Sequence, residues 1–129
     1  MPSLDSLRWK VAANRTEIEL RPIGRGQNLM VAVSICVLVG QSLDWDRDFH
    51  LVTKAQETCK DAEFDLRPEL YSRGYTQDYR STELTTQSGE VAVKLNFGYK
   101  ADPDLYETHS DDMKAFAEIL SKYGTVRAR

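Results

Sequence analysis

The sequence predicts an α+β fold, with an antiparallel or mixed sheet of about five strands and two helices packed on one face, in the order ββ-β-α-ββ-α. Three observations carry this prediction. An uncharged apolar run fills 29–39, apolar residues alternate strictly over 91–99, and two further segments have the three-and-four apolar spacing of amphipathic helices. Residues 1–129 are expected to form a single domain, because the chain is too short for two ordinary cores.

The first part of the chain predicts a β-hairpin with one solvated face. Apolar and charged residues alternate over 7–11 and again over 18–20, on either side of a polar break at 14–16. Pro22 is expected to end the second strand or to place it at an edge, because proline has no N–H to donate to a ladder.

The run 29–39 is predicted to be a long buried strand, because it has many β-branched residues and its two faces differ in size. The bulky odd-numbered residues should enter the core. The even-numbered face forms a shallow lane of Ala32, Ser34 and Cys36, which we treat as a candidate interface for a helix or another chain.

The next segment predicts a helix over about 47–63, with Phe49, Val52, Ala55, Cys59 and Ala62 on one face. Acidic residues at 44, 46 and 48 suit the positive end of a helix dipole. Proline at 68 is expected to prevent simple continuation of the helix.

The remainder predicts an irregular segment, two strands and a second helix. The segment before about 78 has no clear period, a strand is expected near 78–86, and the alternating strand over 91–99 follows a turn at 87–90. Ser110 caps a helix predicted over 111–123, and Gly124 suits the position that follows it.

Composition narrows the class of protein. The formal net charge is −3 and the pI about 5.4, which disfavours a dedicated nucleic-acid binder. The uncharged run of eleven residues is shorter than a membrane span needs, and charges at 5 and 8 interrupt any signal peptide. Cys36 and Cys59 have no zinc or disulfide-framework spacing, so both are expected to be buried thiols in a cytoplasmic protein, or a virion protein if the chain is a viral structural subunit.

The sequence has partial matches to metal-binding and cofactor-binding motifs, but residues that each motif requires are missing at the required spacing. The acids at 44, 46 and 48 imitate the start of a calcium loop, but Phe49 and Ala55 stand where that loop needs glycine and glutamate. Gly24 and Gly26 lack the third glycine and the following helix of a dinucleotide site. His50 and His109 are expected to be solvated or capping residues. We therefore predict no catalytic residue, no cofactor and no metal, while carboxylate acid–base chemistry stays open.

One aromatic and basic cluster stands out as a candidate for binding a partner. It consists of Tyr71, Arg73, Tyr75, Tyr79 and Arg80, in which the tyrosines recur every four residues and are expected to share a face. Tyrosine and arginine are typical of protein interfaces. Half-buried tyrosines over the sheet are an equally good reading.

These observations favour a non-catalytic interaction or self-assembly protein, acting through a sheet edge, the lane or the Tyr/Arg cluster. A phage or viral structural subunit and an inhibitor or immunity-type protein fit this description, and the expected partners are a second copy, as a homodimer or larger oligomer, or a heterologous protein. No membrane partner is expected. One alternative is a ligand-binding protein or enzyme with a sheet–helix pocket, lined by Trp9, Phe97, Tyr99 and Phe116. Another is RNA or DNA binding through a basic sheet face, formed by Arg8, Lys10, Arg21, Arg25, Arg73 and Arg80.

Overall fold

A computed structural model describes residues 15–24, 29–40, 45–87, 89–101 and 109–128. These residues form five strands and two helices, in the order β1, β2, α1, β3, β4, α2, β5. Their bounds are β1 Thr16–Ile23, β2 Met30–Gly40, α1 Trp45–Ser72, β3 Tyr75–Gln87, β4 Glu90–Ala101, α2 His109–Leu120 and β5 Thr125–Ala128. The predicted α+β fold is confirmed.

The described strands form one mixed sheet in the order β3-β4-β2-β1-β5. Every neighbouring pair is antiparallel except β1 and β5, which run parallel. Side chains alternate between the two faces of the sheet. One face packs against both helices and holds the core residues Ile18, Leu20, Val31, Val33, Ile35, Val37, Val93, Leu95, Phe97 and Tyr99. The opposite face, which we call the open face, carries the even-numbered side chains of β2 and β4.

Helix α1 packs over β2, β4 and β3, and α2 packs over β1 and β5, beside α1. The predicted apolar stripe of α1 is confirmed at Val52, Ala55, Cys59 and Ala62, which all lie in the core, but it is wrong at Phe49, which is 61% exposed. No helix among the described residues combines the length and the apolar character that crossing a membrane requires.

The predicted end of the first helix is wrong, because α1 continues through Pro68 to Ser72. An internal proline removes one backbone hydrogen bond and crowds the preceding turn. Here Leu66 and Leu70 lie on either side of the exposed Pro68 and are both fully buried, so packing of the last two turns against the sheet outweighs that cost.

Two strands differ from the predictions, and a third predicted strand is not tested. The strand expected over 7–11 lies outside the described residues. The strand expected near 78–86 begins earlier, at Tyr75, directly after the turn that follows α1. The short strand β5 was not predicted, because four residues with a single large apolar side chain carry little periodic signal.

Helix α2 ends at Leu120, three residues earlier than predicted, and residues 121–123 form a turn. Ser121 Oγ donates to the Glu118 carbonyl at 2.6 Å, and the Tyr123 N–H bonds the Leu120 carbonyl at 3.0 Å, so shorter-range bonds replace the helical ones. Gly124 then lies against the start of β1, where a Cβ atom would come 2.9 Å from the Thr16 carbonyl carbon.

Gly124→Ala is expected to lower the free energy of unfolding by about 1–3 kcal/mol, because the added methyl group meets backbone that cannot move aside without separating β5 from β1. Chemical denaturation measured by circular dichroism tests this expectation. Thr125→Ala, an exposed change one residue along, is the control and should cost well under 1 kcal/mol. Equal losses in the two variants would contradict the close approach.

Candidate interaction surface

The long edge strand β3 is the most unusual surface of the described fold. It has thirteen residues and pairs with β4 on one side, and no described strand pairs with its other side. Strands in globular proteins are typically 5–6 residues long. At the opposite edge of the sheet, β5 has four residues, which is one way in which proteins limit the pairing of an edge with another chain.

The direction of the backbone groups of β3 follows from the ladder. The Ala101 N–H donates to the Leu29 carbonyl at 3.0 Å, so Ala101 directs its backbone toward β2. Because β4 pairs without interruption from Glu90 to Ala101, its even-numbered residues direct their backbone groups toward β3. Their partners on β3 include Ser81, Glu83 and Thr85. The residues between them point their N–H and C=O groups away from the sheet.

The outward-pointing residues are Arg80, Thr82, Leu84 and Thr86. Their side chains lie on the helix side of the sheet, since each pairs with a core residue of β4 or with Val91. All four side chains are exposed, and Leu84 is 49% accessible. Among the described residues, the edge therefore offers to another strand both backbone groups that no strand pairs with and an exposed apolar side chain.

The charged residues of β3 have partners of opposite charge within the subunit. Arg80 Nε contacts the buried Glu63 of α1 at 2.9 Å, and Asp78 lies 3.4 Å from Lys100. Glu83 lies opposite Lys94 in the ladder. Pairing along this edge would consequently bring no uncompensated charge into an interface.

The structure does not bring the five residues of the predicted Tyr/Arg cluster onto one surface. Tyr71 lies on the last turn of α1 and contacts Tyr99 edge to face, whereas Tyr75 is 1% exposed in the core. Tyr79 lies on the open face, with its ring against Gly98. The equal spacing does not place the tyrosines on one face, because the chain passes from helix through a turn into a strand between 71 and 75. In addition, an extra residue at Asp78 shifts the register before Tyr79.

The two arginines of the cluster hold structural contacts. Arg80 bonds Glu63 on the helix side of the sheet. Arg73, in the turn after α1, donates to Glu69 and to the buried Asp112, each at 2.7 Å. Partner binding by the cluster stays a prediction, and its exposed residues are separated, with Tyr71 at the end of α1, Tyr79 on the open face and Arg80 on the helix side of the sheet.

The predicted lane of Ala32, Ser34 and Cys36 lies on the open face, opposite to both helices. Cys36 is 5% exposed, and its Sγ lies 3.4 Å from the Gln87 amide oxygen. Burial raises the pKa of the Cys36 thiol. Burial also raises the pKa of the Cys59 thiol, to about 12, so both cysteines are held as thiols, as expected.

The depressions that described residues line include two small ones and one wide-open groove. Two polar ones lie side by side on the open face, with volumes of about 160 and 180 Å³, and share Glu19, Ser34 and Lys94. Both are below the range of about 300–1,000 Å³ that is typical of small-molecule sites. A larger open groove of about 810 Å³ runs between α2 and β5, lined mainly by small and charged side chains such as Lys114, Ala117 and Glu118.

The described residues that were expected to line a ligand pocket do not line any of these depressions. Phe97, Tyr99 and Phe116 are packed in the core, with Phe97 edge to face on Tyr99 and Phe116 edge to face on Tyr75. Trp9 lies outside the described residues. For the nucleic-acid alternative, Arg21 lies on the open face and Arg73 and Arg80 do not, while Arg8, Lys10 and Arg25 lie outside the described residues.

The candidate metal-binding and catalytic residues have ordinary local partners. Asp48 is buried beside Arg47, and His50 Nδ1 lies 3.1 Å from the Arg47 carbonyl oxygen. Within the described ranges, no three histidine, cysteine or acidic side chains are grouped closely enough to hold a metal ion. His109 begins α2, but its side chain and Asp44 lie outside what the structure describes.

Comparisons of the sequence with protein-family models and with curated proteins found no match for this chain. The candidate surface therefore rests on its own geometry.

Proposed function

We propose that this chain is a non-catalytic self-assembling protein, whose subunits pair through the edge of β3 to form a continuous sheet across two copies. One observation carries the proposal. The thirteen-residue edge presents outward backbone groups from 80 to 86 in the described fold and has no proline. Such an edge is a ready template for another strand.

A second copy suits this edge because antiparallel strands related by a two-fold axis present the same residues to each other. Arg80 is already paired with Glu63, and Glu83 has the opposite charge of Lys94 across from it in the ladder, so a paired edge stays electrically balanced. Self-pairing of this kind favours a homodimer over a protein that binds only a heterologous partner.

The test is the mass of the protein in solution, measured by light scattering after size exclusion over a range of concentrations. The wild-type chain should form a particle of at least twice its 14.7 kDa mass. Thr82→Pro removes an N–H that points away from β4, so the ladder inside the subunit keeps its bonds while the intersubunit ladder loses one from each copy. Self-association should weaken by about tenfold or more, at unchanged thermal stability of the subunit.

The matched control is Thr82→Val, which keeps the N–H and the β-branched shape and should assemble like the wild-type chain. A wild-type chain that stays at 14.7 kDa at every concentration would overturn the proposal. Equal self-association of the Thr82→Pro and Thr82→Val variants would show that the subunits do not pair through the β3 edge.

A further inference from the structure

The sheet is concave on its open face, along the diagonal from the start of β1 to the end of β3. Gln87 Nε2 of β3 donates to Glu17 Oε2 of β1 at 3.2 Å, although β4 and β2 lie between these strands. Gln87 pairs with Glu90 of β4. Glu17 is level, across β2, with Lys94, which is four residues further along β4. In a flat sheet the two backbones would be about 20 Å apart, too far for two side chains to bridge, so the sheet curves toward the open face.

The concave face is closed at one end. Arg15, just before β1, forms a salt bridge with Glu90 at the start of β4. Leu38 and Ala92 lie on the open face at this end, and both are buried. The rest of the concave face, over residues 32–36 of β2, is what we call the trough. Its floor is β2, and its two sides are β1 and β4.

Two small depressions lie in the trough, and Glu19, Ser34 and Lys94 line both of them. Ser34 is on the floor, directly opposite Glu19 of β1 and Asn96 of β4. Lys94 is the next residue along β4 on this face. All four side chains are half-buried. The trough thus has a carboxylate on one side, an ammonium group on the other and a hydroxyl between them.

The Lys94 ammonium group makes no salt bridge with any acid of the described chain, although Glu83 lies opposite it in the ladder. The side chains of Ser34 and Asn96 likewise have no hydrogen-bond partner among the described residues. Glu19 and Lys94 lie on strands that are separated by β2, so their backbones are about 10 Å apart. A small molecule can therefore lie over Ser34, between the two charged groups.

The charges on the two sides restrict the chemistry of such a molecule. A ligand with an ammonium group alone would leave Lys94 without a partner, and a ligand with a carboxylate alone would be repelled by Glu19. A ligand that carries both groups makes charge-assisted hydrogen bonds to both sides. The depressions have volumes of about 160 and 180 Å³, below the roughly 300–1,000 Å³ of sites for drug-sized ligands, so the ligand is small. A free α-amino acid meets these conditions, whereas a peptide terminus carries only one of the two charges.

The second depression indicates which amino acids fit best. It extends from the shared residues to Arg21, Tyr79 and Asn96. These side chains offer guanidinium, hydroxyl and amide donors. A carboxylate or amide side chain therefore suits this depression better than an apolar one.

We propose that the trough binds a free α-amino acid with an acidic or amide side chain, such as glutamate or glutamine. The α-carboxylate accepts hydrogen bonds from Lys94 and Ser34, and the ammonium group donates to Glu19. The outward-pointing residues of β3 have their side chains on the other face of the sheet, so this site does not depend on the proposed pairing of subunits.

Titration of the full ¹⁵N-labelled chain with L-glutamate and L-glutamine, followed by amide chemical shifts, tests the proposal. At least one of the two should shift the resonances of residues 32–36 and 94–98 saturably, with a Kd of about 1 mM, as expected for a small ligand held by a few polar contacts. Lys94→Gln should raise this Kd about tenfold or more, because a bond between two charged groups is lost. Glutarate, which lacks the ammonium group, should bind the wild-type chain at least tenfold more weakly than L-glutamate.

Lys100→Gln is the matched control, because Lys100 lies on the same face of β4 but outside both depressions. It should leave the Kd unchanged, and the dispersion of the amide spectrum shows that each variant is folded. The absence of a saturable shift with both amino acids would overturn the site. Equal Kd values for Lys94→Gln and Lys100→Gln, or glutarate binding as tightly as L-glutamate, would overturn the assignment of the ligand's two charges to Lys94 and Glu19.

Discussion

Val33→Asp should abolish the cooperative thermal transition of the protein. Val33 is 2% exposed on the central strand, and its neighbours across the sheet are Leu20 and Phe97, both fully buried. The change loses the burial of an aliphatic side chain, worth about 1.5–3 kcal/mol, and places a carboxyl group where nothing hydrogen-bonds it, at a further cost of several kcal/mol. Domains of this size are stable by only about 5–15 kcal/mol.

The adjacent substitution Ser34→Asp is the control, because it moves the same carboxyl group to the open face. Ser34 is half-buried there, opposite Glu19 and Asn96, and a nearby like charge should cost about 1 kcal/mol. Thermal unfolding followed by circular dichroism should thus show a cooperative transition for Ser34→Asp alone. A cooperative transition in Val33→Asp, or similar losses in both variants, would contradict the assignment of faces.

The faces of β2 and β4 could be predicted because their side-chain alternation is unbroken over the core. In β2 the bulky residues share one parity from Val31 to Val37, and in β4 the same holds from Val93 to Tyr99. A one-residue slip would move the bulky residues of either strand off the face that packs against the helices, so the sequence allows one register.

The end of α1 shows how tertiary packing overrides a local signal. Proline is strongly unfavourable inside a helix, and for this reason the helix was predicted not to continue through Pro68. Leu66 and Leu70 continue the spacing of Cys59 and Ala62, and this continuation was the signal that the helix extends beyond Pro68.

The β3 edge could be anticipated only in part. Its segment lacks an apolar face, with Leu84 as its one aliphatic side chain, which is typical of a strand at the margin of a sheet. Which strand β3 pairs with, and on which side, depends on contacts distant in sequence. The extra residue at Asp78 could not be read from the pattern either, and it separates Tyr79 from the face that holds Tyr75.

A buried carboxylate joins the base of β3 to both helices. Asp112, in the first turn of α2, is 2% exposed and accepts hydrogen bonds from Arg73 at 2.7 Å and from the Tyr75 hydroxyl at 2.8 Å. Burial, together with the bond to Asp112, raises the pKa of Tyr75, so this hydroxyl stays a donor. Tyr75 also stacks edge to face on Phe116 of α2. The start of the β3 edge is therefore held in place by α2.

Asp112→Ala should lower the free energy of unfolding by about 3 kcal/mol, because it removes two hydrogen bonds to a charged group. The bond from Arg73 contributes the smaller share, because the Arg73 side chain is one-third exposed. The expected fall in Tm is about 10 °C. Asp111→Ala, an exposed acid in the same helical turn, should cost only about 0.5 kcal/mol through the helix dipole. Equal Tm values for these two variants would show that Asp112 does not hold β3 against α2.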